Sequence, residues 1–213
     1  MIDVTNRILL KIRSTRLSLL LFWSTFIMKI SLSLRGIKTG GKLKFWGLAC
    51  FVRHQNSKIS IGAGCSFRSD RTSNLIGVNR PCIISTHSDA AEITIGQHCG
   101  FSGVTIGAKE KITIKNNVLA GANVVITDFD WHSVDPQLRR TDAGGSKPVV
   151  ISDNVFIGVN CIILKGSSIG RNSVIGANSV VTGDIPENCI AAGNPARVIR
   201  SLEPGATKAA HKS

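Results

Sequence analysis

Between Val149 and Gly183 the chain reads VVISDNVFIGVNCIILKGSSIGRNSVIGANSVVTG, and Ile151, Ile157, Ile163, Ile169, Ile175 and Val181 recur at a fixed step of six residues. A helix repeats at 3.6 residues and a strand at 2, so neither alone explains six. The intervening positions supply the answer. Four residues after the aliphatics stand Val155, Cys161, Ser167, Ser173 and Ser179; one residue after them stand Ser152, Gly158, Leu164, Gly170, Gly176 and Thr182. Each unit therefore offers a large apolar side chain, a residue suited to a turn, and a small filler. That is a short strand followed by a tight corner. Three such units close a triangular coil, and stacked coils bury a column of aliphatics that no single unit could bury alone.

The pattern extends toward the N-terminus. Ile61-Gly62 with Cys65, Ile76-Gly77, and Ile95-Gly96 with Cys99 read as corners, and Ile114, Ala120 and Ile126 keep the step. Ile76, Ile95 and Ile114 are spaced by nineteen residues, a three-unit coil with one extra residue. From Thr127 to Pro148 the period is lost and turn chemistry takes over, which predicts an inserted loop; long loops in compact repeats usually carry function. The expected organisation is a basic N-terminal segment over 1–58, a coil domain over 59–190 interrupted by the loop 127–148, and a C-terminal cap and tail over 191–213.

Six cysteines invite a disulfide or metal reading. Cys65, Cys99 and Cys161 instead occupy the small slot of the repeat, there is no CxxC, and the spacings fit no zinc site. The expectation is free thiols acting as small hydrophobes, no metal, and a reducing, cytoplasmic compartment. Charge is unevenly distributed. Residues 1–58 hold eleven Lys and Arg against Asp3 alone, a net +10 of the chain's +13. This is no even basic coating of the kind that binds nucleic acid.

Within the basic segment, Leu19, Trp23, Phe26, Ile30 and Leu34 mark one face of a helix in the stretch Arg16 to Gly36. The uncharged run Leu17 to Met28 is short for a membrane span, which needs about 20 residues, and no small-x-small cleavage site follows it. Two readings stand. The helix packs on the coils or on a neighbouring subunit, or residues 1–36 lie as a basic interfacial helix on an anionic membrane.

The loop gathers Asp128, Asp130, Trp131, His132 and Asp135, then Arg139 and Arg140. Histidine titrates near neutrality and suits general-base work, and a nearby carboxylate can orient it. No nucleophile elbow is present, so nothing here suggests a covalent intermediate.

DFDWHSVDPQLRR, followed by the repeats and by the ending AAGNPARVIR, resembles the hexapeptide-repeat acyltransferases, and among them the galactoside, maltose and surface-polysaccharide O-acetyltransferases. The resemblance implies an all-β fold, a left-handed parallel β-helix solenoid with an N-terminal helical segment and one long inserted loop. It implies a homotrimer with sites between subunits. The chemistry implied is acetyl transfer from acetyl-CoA to a sugar hydroxyl, in surface polysaccharide biosynthesis, with His132 as general base. Asp128, Asp130, Trp131, Asp135 and Arg139 would orient that base or bind the saccharide. Ala177 and Thr182 would line the coenzyme's pantetheine path, and Arg197 and Arg200 would meet its phosphates. The chain departs from the galactoside pattern where acceptor-binding Asn and Asp are replaced by Phe101 and Lys109. The alternatives are an N-acyltransferase of amino-sugar nucleotides, an antibiotic acetyltransferase, and a non-catalytic β-helix scaffold.

Overall fold

The computed structural model describes residues 2–202. After the helix Ile2–Leu34, successive strands fall in rotation onto three sheets of seven, eight and six strands among the described residues, parallel throughout except for the last strand of the second. Lys38–Thr39 starts the first face, Lys44–Trp46 the second and Cys50–Val52 the third, and the next strand, Lys58–Ile61, returns to the first. The chain thus winds as a three-sided coil of parallel strands.

The inward columns follow the registers. On the first face Ile61, Ile95, Ile114, Ile151, Ile169 and Ile185 stand in line. On the second, Phe45, Phe67, Phe101, Ala120, Ile157, Ile175 and Ala191 do. The rings of Phe45 and Phe67 stack at 4.9 Å, and those of Phe67 and Phe101 at 5.3 Å. Ile157, Ile163, Ile169 and Ile175 are all buried, as are the slot residues Cys161, Ser167, Ser173 and Ser179.

Two sequence expectations need correction. The corner residue is Asn, not the glycine after each aliphatic. Asn154, Asn160, Asn172 and Asn178 have φ of 57–61°, and Asn tolerates this left-handed region because its short side chain bonds locally. Down one edge these side chains form a ladder, Asn117 to Asn154 at 3.1 Å, Asn154 to Asn172 at 3.0 Å and Asn172 to Asn188 at 2.8 Å. Gly158 and Gly170 serve close approach instead: a Cβ on either would lie 2.6 and 2.3 Å from backbone of the next coil. Second, Ile76 is not a corner. It is exposed in a loop between Ser66–Arg68 and Ile83–Thr86, and Ile61 pairs directly with Ile95. A second insertion therefore precedes the one after Thr127, and its turn-rich sequence matched the period by chance.

The helix is twice as long as the amphipathic pattern suggested. Its inward face is Ser24, Met28 and Leu32, all buried on the first coil, whereas Leu19, Trp23, Phe26, Ile30 and Leu34 point to solvent. Thr25 Oγ1 accepts from Phe45 N at 3.0 Å and Ser24 Oγ from Gly47 N at 3.2 Å, on the open edge of the first second-face strand. Arg13 and Arg16 tie the preceding turns to Thr72 and Asp70. Gly36, at φ 63°, ends the helix; Ile37 N donates to the Leu32 carbonyl and the two side chains bury together, a Schellman close.

Since Ile169 is fully enclosed in its column, Ile169→Ala should lower unfolding free energy by about 2–5 kcal/mol, read by denaturant titration. Ile169→Asp should prevent folding; a soluble, cooperatively folded Ile169→Asp protein would refute the inward placement.

Candidate active site

The loop between Val125–Thr127 and Val149–Ile151 is a folded finger. Phe129 and Ser146 form an antiparallel bridge at its base, Lys147 N donates to the Asp128 carbonyl at 2.8 Å, and Ser133 N to that of Asp142 at 2.9 Å. Asp128 is wholly buried and receives the backbone N–H of Lys109 at 2.7 Å and of Glu110 at 2.9 Å. Burial pushes its carboxyl above the usual carboxylate range, and those two N–H donors pull the other way. Asp128 is thus an anchor where the finger leaves the coil.

Trp131 is the second anchor. Its φ of 68° folds the indole back over the coil below, where Nε1 donates to Thr127 Oγ1 at 3.0 Å. The ring packs against Phe129 at 4.6 Å and edge-on against His87 at 4.8 Å. Gly107 makes room for it, since a Cβ there would sit 2.6 Å from the indole. His87 shares a 2.8 Å hydrogen bond with Ser85 Oγ; burial lowers its imidazole pKa while the Asp128 charge opposes that shift.

His132 follows directly and is exposed. Its Nδ1 lies 3.0 Å from the Arg139 carbonyl. A carbonyl can only accept, so Nδ1 carries the proton and Nε2 keeps its lone pair, the arrangement a base requires. The orienting group is a main-chain carbonyl and not a carboxylate. Among the described residues, none of the three acids bonds to the ring. Asp130 pairs with Lys165, one coil further on, and Asp135 receives Gln137 N at 2.9 Å to fix a turn. Arg139 turns its guanidinium to the carbonyls of Ser133 and Val134, holding the segment that follows His132.

The residues matched to coenzyme binding divide between two edges of the coil. Ala177 lies in an apolar groove of about 400 Å³ on the second face with Ile76, Phe156, Val159 and Gly176. Arg197 and Arg200 stand on the hairpin strand Ala196–Ser201 that extends the same sheet. An irregularity between Ile190 and Ala191 pairs Arg200 with Ile190 and Arg197 with Ala192, so that both arginines share one face of the strand. Thr182 follows Val180–Val181 on the third face, at the edge from which the His132 finger springs. Within one chain, His132 and the groove are therefore separated by the whole third face. Phe101 is in the core, and Lys109 donates to the Gly144 carbonyl at 2.9 Å, bracing the finger.

His87, Ser85 and Gly107 were not singled out from the sequence, and Lys109 was noted only as a departure from the galactoside pattern. Their only signal is register: Ser85, Gly107 and Thr127 are cross-strand neighbours, and the second insertion hides that alignment.

Gly107→Ala should force the indole aside at a cost of about 1–3 kcal/mol of overpacking. Hydrogen exchange over residues 128–148 should rise while the Ile126 amide stays protected. Unchanged exchange in the finger would show that Trp131 does not anchor it.

The family profile of bacterial transferases with six hexapeptide repeats matches residues 148–183. A galactoside O-acetyltransferase of Lactococcus lactis is 47% identical over 107 residues, 50% of this chain and 51% of that protein. An Escherichia coli protein named for lipopolysaccharide biosynthesis O-acetyl transfer is 33% identical over 162 residues, covering 71% of this chain and 75% of its own length. The crystal structure of a Vibrio cholerae hexapeptide-repeat acetyltransferase with acetyl-CoA is 39% identical over 53% of this chain and 61% of that one, with a TM-score of 0.50. The alignment with the Lactococcus protein thus takes in about half the length of that relative.

Proposed function

The chain belongs to the hexapeptide-repeat transferase family, and from that premise we propose that it is an acetyl-CoA-dependent O-acetyltransferase acting on a sugar hydroxyl of a surface polysaccharide or its lipid-linked precursor. The coil is left-handed on this reading, as in the family. The enzyme works in the cytoplasm, at the inner face of the cytoplasmic membrane; six free cysteines suit a reducing compartment.

The observation that carries the reading is the exposed His132 ring, its Nδ1 held by the Arg139 carbonyl. His132 Nε2 takes the proton of the acceptor hydroxyl as its oxygen attacks the thioester carbonyl. The carbon–sulfur bond then breaks, and the imidazolium returns the proton to the departing coenzyme A thiolate. Direct transfer asks of the protein only one base and two aligned substrates.

The separation of the two edges supports a homotrimer whose site is shared. The His132 finger and Thr182 of one subunit face the groove of Ala177, Arg197 and Arg200 on its neighbour. The arginine pair meets the coenzyme's phosphates, a pairing suited to the guanidinium fork. Trp131, Asp130, Asp135 and Arg139 shape the acceptor side of the finger or hold its base. Asp128 acts from beneath it.

His132→Ala should keep the fold and donor binding but lose turnover by about 10²–10⁴-fold, followed as free thiol released from acetyl-CoA over a panel of saccharides and amines. Wild-type turnover in that variant would remove His132 from the mechanism, and acceptance of amines alone would replace O-transfer by N-transfer.

Replacing both Arg197 and Arg200 by Ala should raise the KM for acetyl-CoA and leave turnover at saturating donor nearly intact, the signature of lost uniform binding. An unchanged KM would move the phosphate site elsewhere.

A further inference from the structure

The N-terminal helix presents two faces with opposite fates. Inward, Met28 and Leu32 enter the core and Ser24 and Thr25 satisfy the edge strand. Outward, Ile8, Ile12, Leu19, Trp23, Phe26 and Ile30 are each between 48% and 60% exposed. At 100° per residue these six fall within one narrow stripe running most of the helix's length. Aliphatic and aromatic groups arranged so continuously in solvent are a binding surface.

The surface could take a membrane, a second copy of this chain, or another protein, and charge decides among them. Residues 1–58, which include the helix and the first coil, carry +10. Lys11 and Lys29 flank the stripe on one side, and Arg35, Lys38, Lys42 and Lys44 follow at its C-terminal end. Two copies meeting stripe to stripe would bring like charges together. An anionic lipid surface would meet them with opposite charge while taking the apolar side chains below its headgroups. We propose that the helix docks in the plane of an anionic membrane through this stripe, with the coil standing above it.

Among the described residues this helix is long and apolar enough to cross a membrane. Its docked state argues for lying flat. To span, it would have to withdraw Met28 and Leu32 from the core, strip Phe45 N and Gly47 N of their acceptors, and release Arg13 and Arg16 from the 70–72 loop. The geometry also links the surface to the site. Trp131 leans from the fourth coil to His87 on the second, so the finger reaches toward the helix-covered end, within a few coil spacings of roughly 4.8 Å each. A lipid-linked acceptor would be presented there. This deepens the membrane-side placement above, but rests on the helix and not on the acyl-transfer chemistry.

The test is flotation of the full chain with vesicles of phosphatidylglycerol and phosphatidylcholine in equal parts, against phosphatidylcholine alone. The wild type should float with the anionic vesicles at low salt, be released as salt rises, and ignore the neutral ones. Trp23→Ser, Phe26→Ser and Ile30→Ser together should weaken anionic binding by about tenfold or more, the least expected from losing one large buried apolar group. The triple variant should keep its sedimentation coefficient and its turnover on a soluble acceptor. Failure of the wild type to float at low salt overturns the proposal. So does a triple variant that changes oligomeric state, which would make the stripe a subunit contact, and so does resistance of the bound protein to high salt, which would indicate a span. A protein that floats but transfers no acetyl group would leave the docking surface intact and sink only the enzymatic reading.

Discussion

Coil-to-coil hydrogen bonding runs along the axis of this molecule, and everything else depends on it. Each strand's N–H and C=O groups are satisfied only by the coils above and below, so the ends of the stack expose edges that could pair with any other strand. The chain closes the second face at both ends with different devices. At the start, hydroxyls of Ser24 and Thr25 accept the donors of the first strand, so a helix substitutes for a missing coil. At the finish, Ala196–Ser201 folds back antiparallel on Cys189–Gly193. Both devices have a second consequence. The first leaves an apolar helical face pointing away from the stack, and the second sets two arginines on one side of its last strand.

The same axial pairing makes the finger rigid. A 21-residue excursion between Thr127 and Val149 would ordinarily be mobile, yet this one is fixed by contacts to three other coils. Asp128 takes two N–H groups from the coil before it, Trp131 lies in the space left by Gly107 against His87, and Lys165 reaches Asp130 from the coil after it. The buried carboxyl and the left-handed φ at Trp131 are costly features, and the regular coil supplies the contacts that offset them. What they achieve is a short, defined path from scaffold to His132, whose tautomer is then set by a main-chain carbonyl of the same finger.

The regular part of the fold was legible in the sequence because its cause is local. An aliphatic at every sixth position from Ile151 to Val181 has one economical explanation, and the position of His132 in a period-free insertion followed from where that period failed. Two kinds of information were not local. The second insertion was masked because Ile76-Gly77 imitates a corner within a turn-rich loop; only the pairing of Ile61 with Ile95 reveals it. The face of the helix that packs stayed open for a related reason. Leu19, Trp23, Phe26, Ile30 and Leu34 form the stronger apolar pattern, but the coil end needs hydroxyl acceptors more than it needs bulk, so it took the Ser24–Thr25 side and left the bulkier residues outside. Similarly, carboxylates beside a histidine suggest a dyad, whereas here each acid is committed to backbone or to lysine.

The disposition of the groove and the finger follows from the triangular cross-section. Corners after the second face carry Gly158, Val159, Gly176 and Ala177, and corners after the third carry the finger and Thr182. No bend of the finger within one chain brings His132 to Ala177 without crossing the outer side of the third face, where Ile162 stands partly exposed on its strand. A neighbouring coil set edge to edge solves the problem without moving anything, because parallel solenoids of equal pitch stay in step along their whole length. In the proposed homotrimer, cyclic symmetry about an axis parallel to the coils would repeat the junction identically and close. It would also place the helix-covered ends of all subunits on one side of that homotrimer. On the proposed docking, a base made of several such helices would engage a surface multivalently, and avidity of that kind lets individually weak contacts hold an assembly in place.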